Sequence, residues 1–177
     1  MKRLRFVEFR SRISAVPQDP FLFESSVADN IRYGKPEASL EQVKYVSKAL
    51  GVDEFIASLP DGYDTMVAEG ATNLSMGQKQ LICFARALLP DPKILILDEA
   101  TSGIDPFTEL KVQRALASMV KGRTTLIIAH RLSTIRLADR IVVLDAGRVV
   151  EEGTFEHLMS RPDGMFAKMY ALQMQQG

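Results

Sequence analysis

The segment that most constrains the fold spans residues 73–102, where a helix start is followed by a strand that ends in two carboxylates. Ser75 and Gln78 have the spacing of a capping box, in which two side chains satisfy backbone N–H groups at a helix N-terminus. The four branched apolar residues at 94–97 predict a buried strand that runs directly into Asp98-Glu99. The two signals in this order are far more specific than either one alone.

The second half of the chain alternates strands with helices. A helix with proline in its first turn is predicted at 106–119, and a turn at Asp145-Ala146-Gly147 leads into Val149-Val150. Apolar strands that alternate with helices predict a parallel sheet covered on both faces. The strands are predicted at 93–97, 124–129 and 141–144, with a second helix at 132–138.

The first half is mainly helical. A short strand at 13–16 ends at Pro17-Gln18, and a helical pattern follows from residue 25 to about residue 89. Within it, Ser39 is the predicted N-cap of a helix over 40–50, and Gly51 is the predicted stop. We therefore expect a helical subdomain ahead of an α/β core.

Composition limits the class of protein. A length of 177 residues suits one domain with a real core. Zero formal net charge gives no basic surface and argues against a nucleic-acid partner. The single cysteine, Cys83, excludes an internal disulfide and suits a reducing compartment. Neither a membrane-length apolar run nor a signal-peptide segment occurs, so the chain itself is expected to be cytosolic.

The motifs, in their order along the chain, resemble the ATP-binding domain of exporter-type ABC transporters. Gln18 matches the Q-loop, Leu74-Ser75-Met76-Gly77-Gln78 the signature, and Ile94-Leu95-Ile96-Leu97-Asp98-Glu99 the Walker B motif. Ser102-Gly103-Ile104-Asp105 occupies the D-loop place, and Ala129-His130-Arg131-Leu132-Ser133 matches the H-loop of exporters. The string Asp19-Pro20-Phe21-Leu22-Phe23 also favours exporters over importers.

No Gly-x-x-x-x-Gly-Lys-Ser/Thr loop occurs in the 177 residues. The nearest candidate, Gly34-Lys35, is followed by Pro36 and has Asp29 where the first glycine should be. The resemblance therefore implies the C-terminal part of an α/β P-loop NTPase core (RecA-like, ABC-type) with an inserted helical subdomain, from which the N-terminal strands and the P-loop are absent. We expect the Q-loop strand and Q-loop in 1–20, the helical subdomain in 21–90, and the C-terminal core in 91–177.

The resemblance also implies the roles of the acidic and polar residues. Asp98 would bind Mg²⁺, and Glu99 would act as general base on the attacking water, which are two main tasks of phosphoryl transfer. His130 would reach the γ-phosphate of ATP. Gln18 would join Mg²⁺ and water to the helical subdomain.

Two further motifs are implied to serve a dimer interface, and a third residue occupies the X-loop place. The signature at 74–78 would complete the ATP site of a second nucleotide-binding domain, identical or different, in a head-to-tail dimer. Met76 stands where glycine is commonest in the family. The D-loop at 102–105 would cross the same dimer interface. Glu69 falls in the place of the exporter X-loop glutamate, although Ala68 replaces the usual glycine before it.

Each motif has a structural alternative when it is taken alone. Ser75 and Gln78 could merely cap a packed helix, and Asp98-Glu99 could be a loop cap or solvated charges. A histidine after a strand is more often structural than catalytic. Asp105 could simply N-cap the following helix, and the apolar segment at 21–23 could be core or a surface for a coupling helix of a transmembrane domain.

The implied activity is ATP hydrolysis coupled to solute movement, at the cytoplasmic face of a membrane and beside a transmembrane domain. Two alternatives stay open at this point. An ABC-type ATPase that transports nothing usually carries coiled-coil insertions or a second ATPase domain, and neither occurs in this sequence. The other alternative is a fragment without independent activity, which the absent P-loop favours.

Overall fold

The fold is known from a computed structural model that describes residues 6–98, 104–129 and 132–176. The chain divides into two compact units, Met1–Ile128 and Ala129–Gly177, which are treated separately below.

The helices and strands alternate in the order expected of an α/β protein. The first unit contains α1 (Phe6–Arg10), β1 (Ile13–Val16), α2 (Val27–Arg32), α3 (Leu40–Ala49), α4 (Asp53–Ala57), two 3₁₀ turns (Gly62–Asp64 and Glu69–Ala71), α5 (Met76–Leu88), β2 (Ile94–Asp98), α6 (Pro106–Val120) and β3 (Thr124–Ile128). The second contains α7 (Leu132–Ile135), β4 (Ile141–Asp145), β5 (Arg148–Gly153), α8 (Phe155–Met159) and α9 (Met165–Gln176).

A three-stranded parallel sheet in the order β1-β2-β3 organises the first unit. Val16 lies opposite Leu97, and Asp98 lies opposite Ile128, so all three strands end at the same edge. The predicted strands at 13–16, 93–97 and 124–129 are confirmed to within one residue at each end. Leu95 and Leu97 are buried beneath the helices.

Among the described residues of the first unit, nothing covers one face of β3, although cover on both faces was predicted. Leu126 is 62 % exposed and Ile128 is 48 % exposed, although both are branched apolar residues. Within the described residues β3 is the edge strand of this sheet, and no described element of the first unit buries these two side chains.

Local capping signals determine where α3 begins and ends. Ser39 and Gln42 form a complete capping box at α3, and Gly51 follows its C-cap with φ = +70°. That left-handed conformation costs glycine little and other residues much. The predicted helix with Ser39 as N-cap and Gly51 as stop is confirmed.

The end of α2 and the body of α5 lie in backbone contact at Gly34. A β-carbon at Gly34 would lie 2.1 Å from the carbonyl oxygen of Arg86, a distance that no side chain could occupy. Gly34 therefore has a packing role, which accounts for its presence in the Gly34-Lys35 pair.

The second unit corrects one prediction. β4, expected to join the parallel sheet, instead pairs antiparallel with β5 in a separate two-stranded sheet. Asp145 pairs with Arg148, and the two residues between them, Ala146 and Gly147, both have positive φ. Such a two-residue turn with positive φ at both positions closes a β-hairpin. The adjoining core consists of Val143, Leu158 and Phe166.

The helix predicted at 132–138 is also shorter than expected, because α7 ends at Ile135 and a turn follows. Among the described residues, no helix is both long and apolar enough to cross a membrane.

Candidate functional site

The N-terminus of α5 carries the signature residues and has the predicted capping box. The Ser75 hydroxyl accepts a hydrogen bond from the Gln78 N–H at 3.3 Å, and the Gln78 side-chain oxygen accepts one from the Ser75 N–H at 2.9 Å. Ser75 and Met76 are exposed, and no acidic residue occupies the first turn. An exposed helix N-terminus without a carboxylate of its own favours a bound anion.

Gly77 brings the signature into contact with the D-loop segment. A β-carbon at Gly77 would lie 2.2 Å from Cγ2 of Thr108 and 3.1 Å from Cγ2 of Ile104. Asp105 caps α6 next to this contact by accepting a hydrogen bond from the Thr108 N–H at 3.0 Å. The first turn of α5 therefore packs directly on the start of α6. This contact was not predicted from the sequence, where only a glycine inside a helix start hints at it.

The carboxyl edge of the parallel sheet carries the polar residues of the Q-loop and Walker B motifs. Gln18 follows β1 by two residues and is exposed, while Asp98 ends β2 and is half-buried. Since Val16 and Leu97 are register partners, both residues lie at the same edge. β3 ends beside Asp98. Glu99, Ser102, Gly103 and His130, also predicted from the sequence, lie outside the described residues.

The donor set at this edge suits a hard divalent cation. A carboxylate and an amide oxygen are ligands of the kind that Mg²⁺ takes, and Mg²⁺ keeps several waters and phosphate oxygens in its shell. Within the described residues no group of three or more His, Cys, Asp or Glu side chains could hold a metal. A carboxylate and an amide at this edge, supplemented by water and phosphate oxygens, would fit magnesium.

Glu69 lies in a short 3₁₀ turn that is fastened to α5. Glu69 itself is exposed, and the next residue, Gly70, has φ = +62°. The Lys79 ammonium of α5 donates to the Gly70 carbonyl at 3.1 Å. Asn73 holds the same loop through bonds with the Ala68 N–H at 3.0 Å and the Met66 carbonyl at 2.9 Å.

The apolar segment at 21–23 forms an exposed aromatic surface. The rings of Phe21 and Phe23 meet edge to face at 5.0 Å, and Tyr33 lies 4.6 Å from Phe23. Phe21 is 62 % exposed, whereas Leu22 is buried. A cavity of about 260 Å³, called the Phe21 cavity here, is lined by Pro20, Phe21, Leu22, Phe23, Glu24, Gly70 and Ala71. Leu22 is therefore core, and the two phenylalanines are surface.

Asn30 is a polar residue that the sequence did not single out. Its side chain is completely buried, although asparagine is seldom found there. Its oxygen accepts from the Phe23 N–H at 2.8 Å, and its NH₂ group donates to the carbonyls of Phe23 and Ser26 at 3.0 Å and 3.1 Å. Asn30 therefore fixes the loop that carries the aromatic surface.

Comparison with known proteins gives a consistent family. The sequence pattern described as "ABC transporter" matches residues 1–102. The uncharacterized ABC transporter ATP-binding protein YknV of Bacillus subtilis (strain 168) is 53 % identical over 98 % of this chain and 28 % of its own length. The ATP-dependent lipid A-core flippase of Legionella pneumophila (strain Paris) is 50 % identical over 98 % of this chain and 29 % of its own length.

A solved structure agrees in three dimensions. A bacterial Atm1-family ABC exporter with ATP bound superposes with a TM-score of 0.83 at 43 % identity, over 94 % of this chain and 29 % of that one. The chain thus spans less than a third of the length of these relatives. The α/β fold predicted from the sequence is confirmed as that of an ABC exporter's ATP-binding region. This chain belongs to the ABC transporter family.

Proposed function

We propose that these 177 residues form part of the ATP-binding domain of an ABC exporter, which hydrolyses ATP to drive a solute across a membrane. The observation that carries the proposal is the carboxyl edge of the parallel sheet, where Asp98 ends β2 and Gln18 follows the adjacent strand β1 by two residues. The chain that forms this edge is 43 % identical in sequence to a structurally similar exporter with ATP bound.

In the proposed reaction, Asp98 and Gln18 would hold Mg²⁺, and the ion would supply charge neutralisation at the phosphates of ATP. Glu99 follows Asp98 directly in the chain and accepts the proton of the attacking water. His130 follows β3 by two residues and orients the water toward the γ-phosphate. These roles rest on the motif positions, and the described residues provide the frame of β1, β2 and β3 on which they depend.

The signature acts on a second ATP-binding domain in a head-to-tail dimer. The support is the exposed N-terminus of α5, whose Met76 and Gly77 N–H groups and helix dipole suit a phosphate. Contact between Gly77 and Ile104 lets the D-loop segment share the same interface.

The Phe21 cavity is the proposed seat of a coupling helix from a transmembrane domain. Exposed aromatic rings beside a cavity provide an apolar anchor of the kind that protein interfaces favour. Glu69, next to the lining residue Gly70, adds a charge at the same place. The domain would then lie at the cytoplasmic face of the membrane, peripheral to the spanning part.

The 177 residues alone should hydrolyse ATP negligibly. They contain no P-loop motif, and positioning the phosphates accounts for most of the catalysis in this chemistry. Steady-state phosphate release from the purified chain tests this point. Robust turnover that disappears in Glu99→Gln would contradict it.

The function itself is tested in an exporter that carries these residues in its ATP-binding domain. Glu99→Gln keeps the side-chain shape but cannot accept a proton, so turnover should fall on the order of 100- to 10,000-fold while ATP still binds. Glu41→Gln, on the exposed face of α3, is the matched control and should retain the wild-type rate. Retained turnover in Glu99→Gln would refute the role of Glu99, and ATP turnover without transport of any solute would favour a non-transport ATPase.

A further inference from the structure

We infer that Arg86 and Lys79 are positioning residues that tie the Phe21 cavity to the signature helix α5. The inference rests on the proposed function, because it explains how occupation of the cavity would reach the signature. Each residue donates from α5 to a carbonyl of one of the two chain segments that line the cavity.

Arg86 holds the first lining segment directly at Phe21 and indirectly through Asn30. Nη1 donates to the Phe21 carbonyl at 2.8 Å, Nε donates to the Asn30 carbonyl at 2.8 Å, and Nη2 donates to the Asn30 side-chain oxygen at 2.9 Å. Asn30 in turn accepts from the Phe23 N–H. One side chain of α5 thus holds the loop directly at Phe21 and indirectly at Phe23.

The same guanidinium lies over the exposed rings. Its central carbon is 5.5 Å from the Phe23 ring centroid and 5.8 Å from that of Tyr33, which are cation–π distances. Burial lowers the pKa of Arg86 because the charged form loses solvent, so these partners offset a real cost. A lysine carries the charge but lacks the planar fork that makes three directed bonds.

Lys79 holds the second lining segment. Its ammonium donates to the carbonyl of Gly70, a lining residue of the cavity, at 3.1 Å. The Lys79 backbone N–H donates to the Ser75 carbonyl at 3.0 Å as part of the first turn of α5. Lys79 therefore lies one helical turn from the signature serine.

The hydrogen bonds from Lys79 to Gly70 and from Arg86 to Phe21 both start from α5. α5 is 13 residues long, and its buried residues include Leu81, Ile82 and Phe84. A displacement of the loop at Phe21 or of the turn at Gly70 is thereby passed to a helix whose N-terminus carries Ser75. Through these two hydrogen bonds, the position of the residues that line the cavity influences the position of the signature.

Arg123 provides a matched control for a purely structural arginine. It also donates to carbonyls, at Pro92 and Met119, both at 3.2 Å, and it pairs with Asp91. None of these partners lines the Phe21 cavity. Its loss should lower stability without affecting the link between the cavity and the signature.

The test uses the exporter reconstituted in liposomes, with ATP as the probe. For Arg86→Gln, Lys79→Gln and Arg123→Gln we would measure kcat and KM for ATP per folded molecule, together with Tm. Arg86→Gln should lower kcat on the order of 10- to 100-fold by misplacing the signature, with KM changed less than about twofold. Lys79→Gln, on a partly exposed side chain, should fold normally and lower kcat several-fold. Arg123→Gln should lower Tm but keep kcat.

Amide hydrogen exchange in the same exporter gives a readout independent of turnover. Arg86→Gln should raise exchange both in the loop at 21–26 and at 76–79, whereas Arg123→Gln should raise it in neither. Wild-type kcat in the Arg86 and Lys79 variants, or unchanged exchange at 76–79 in Arg86→Gln, would overturn the inference. Failure of the proposed function would instead appear as wild-type turnover that Glu99→Gln does not reduce.

Discussion

The N-terminus of the signature helix and the start of α6 are so close at Gly77 and Thr108 that a β-carbon on Gly77 would lie 2.2 Å from Cγ2 of Thr108. The glycine is therefore required by packing within the chain, apart from any ligand. Gly77→Ala should destabilise the protein by about 1–3 kcal/mol, the usual cost of overpacking. Urea denaturation measures the change.

A second substitution checks that this steric contact is the cause. Thr108→Ser removes Cγ2 and keeps the hydroxyl, so Gly77→Ala combined with Thr108→Ser should recover part of the lost stability. Equal losses in the single and double variants would show that the clash is not responsible.

Ser75 should have two separable roles, as helix cap and as part of a phosphate site. Ser75→Ala loses the cap and should cost about 1 kcal/mol. Ser75→Asp keeps an N-cap acceptor and should retain stability, but its charge should repel phosphate.

The separation can be measured by mixing this chain with an ATP-binding domain that has an intact P-loop and a disabled signature. The wild-type chain should restore some ATP hydrolysis, whereas Ser75→Asp and Ser75→Arg should not. Rescue that survives both substitutions would rule out the signature as a phosphate site on the second domain.

Asn30 should contribute far more to stability than Asn73, although both hold loops through side-chain amide bonds. Asn30 is fully buried, so Asn30→Ala leaves several buried backbone groups unsatisfied and should cost about 3 kcal/mol. Asn73 is exposed, and water can replace its bonds. The free energy of unfolding, measured by chemical denaturation, should fall more in Asn30→Ala than in Asn73→Ala. Equal losses of unfolding free energy in the two variants would contradict this prediction.

Tyr63 should make stability fall at alkaline pH. Burial raises its pKa, with a further contribution from the hydrogen bond that its hydroxyl donates to Asp53 at 2.7 Å. The unfolded chain ionises this hydroxyl above its ordinary pKa of about 10, while the folded chain keeps it neutral. The contribution of neutral Tyr63 to the free energy of unfolding is therefore fully present below about pH 10 and declines as the pH rises further.

Thermal denaturation between pH 9 and pH 11 tests this dependence. Tyr63→Phe should weaken the alkaline fall in Tm, and Tyr45→Phe should leave it unchanged because Tyr45 is 76 % exposed. The same alkaline slope in Tyr63→Phe and wild type would remove Tyr63 as its source.

The exposed face of β3 should make the purified chain prone to association. Leu126 and Ile128 present branched apolar side chains on an edge strand, a common origin of aggregation. Leu126→Lys should raise the monomeric fraction in sedimentation velocity, compared with Leu110→Lys on the exposed face of α6 as control. A monodisperse wild-type monomer with strong, cooperative exchange protection over 124–144 would contradict the prediction.

Capping residues and short apolar runs predicted the helix starts and the strand that depend on neighbouring residues alone. The capping residues Ser39 and Ser75, each followed by glutamine three positions later, identified two helix starts correctly. Strand 13–16 was predicted to the residue from its apolar run and the proline that follows it. These features depend only on neighbours in sequence, so the sequence carries them directly.

Long-range contacts were beyond such signals. The approach of Gly77 to Thr108 and the bonds from Arg86 to Phe21 join segments far apart in the chain. The pairing of β4 with β5 was missed because strand–helix alternation was given more weight than the turn at Ala146-Gly147. In the candidate site, Gln18 and Asp98 were singled out from motif order, whereas their shared sheet edge and the buried Asn30 were not predicted.

The contact at Gly34 has a mechanical consequence. Where two helices meet through side chains, rotamer changes can absorb a small shift of one helix before the other responds. At Gly34 the backbone meets the Arg86 carbonyl with no side chain between them. No rotamer change can therefore absorb a shift at this contact. A displacement of the segment that follows α2 would therefore be transmitted directly to the backbone of α5.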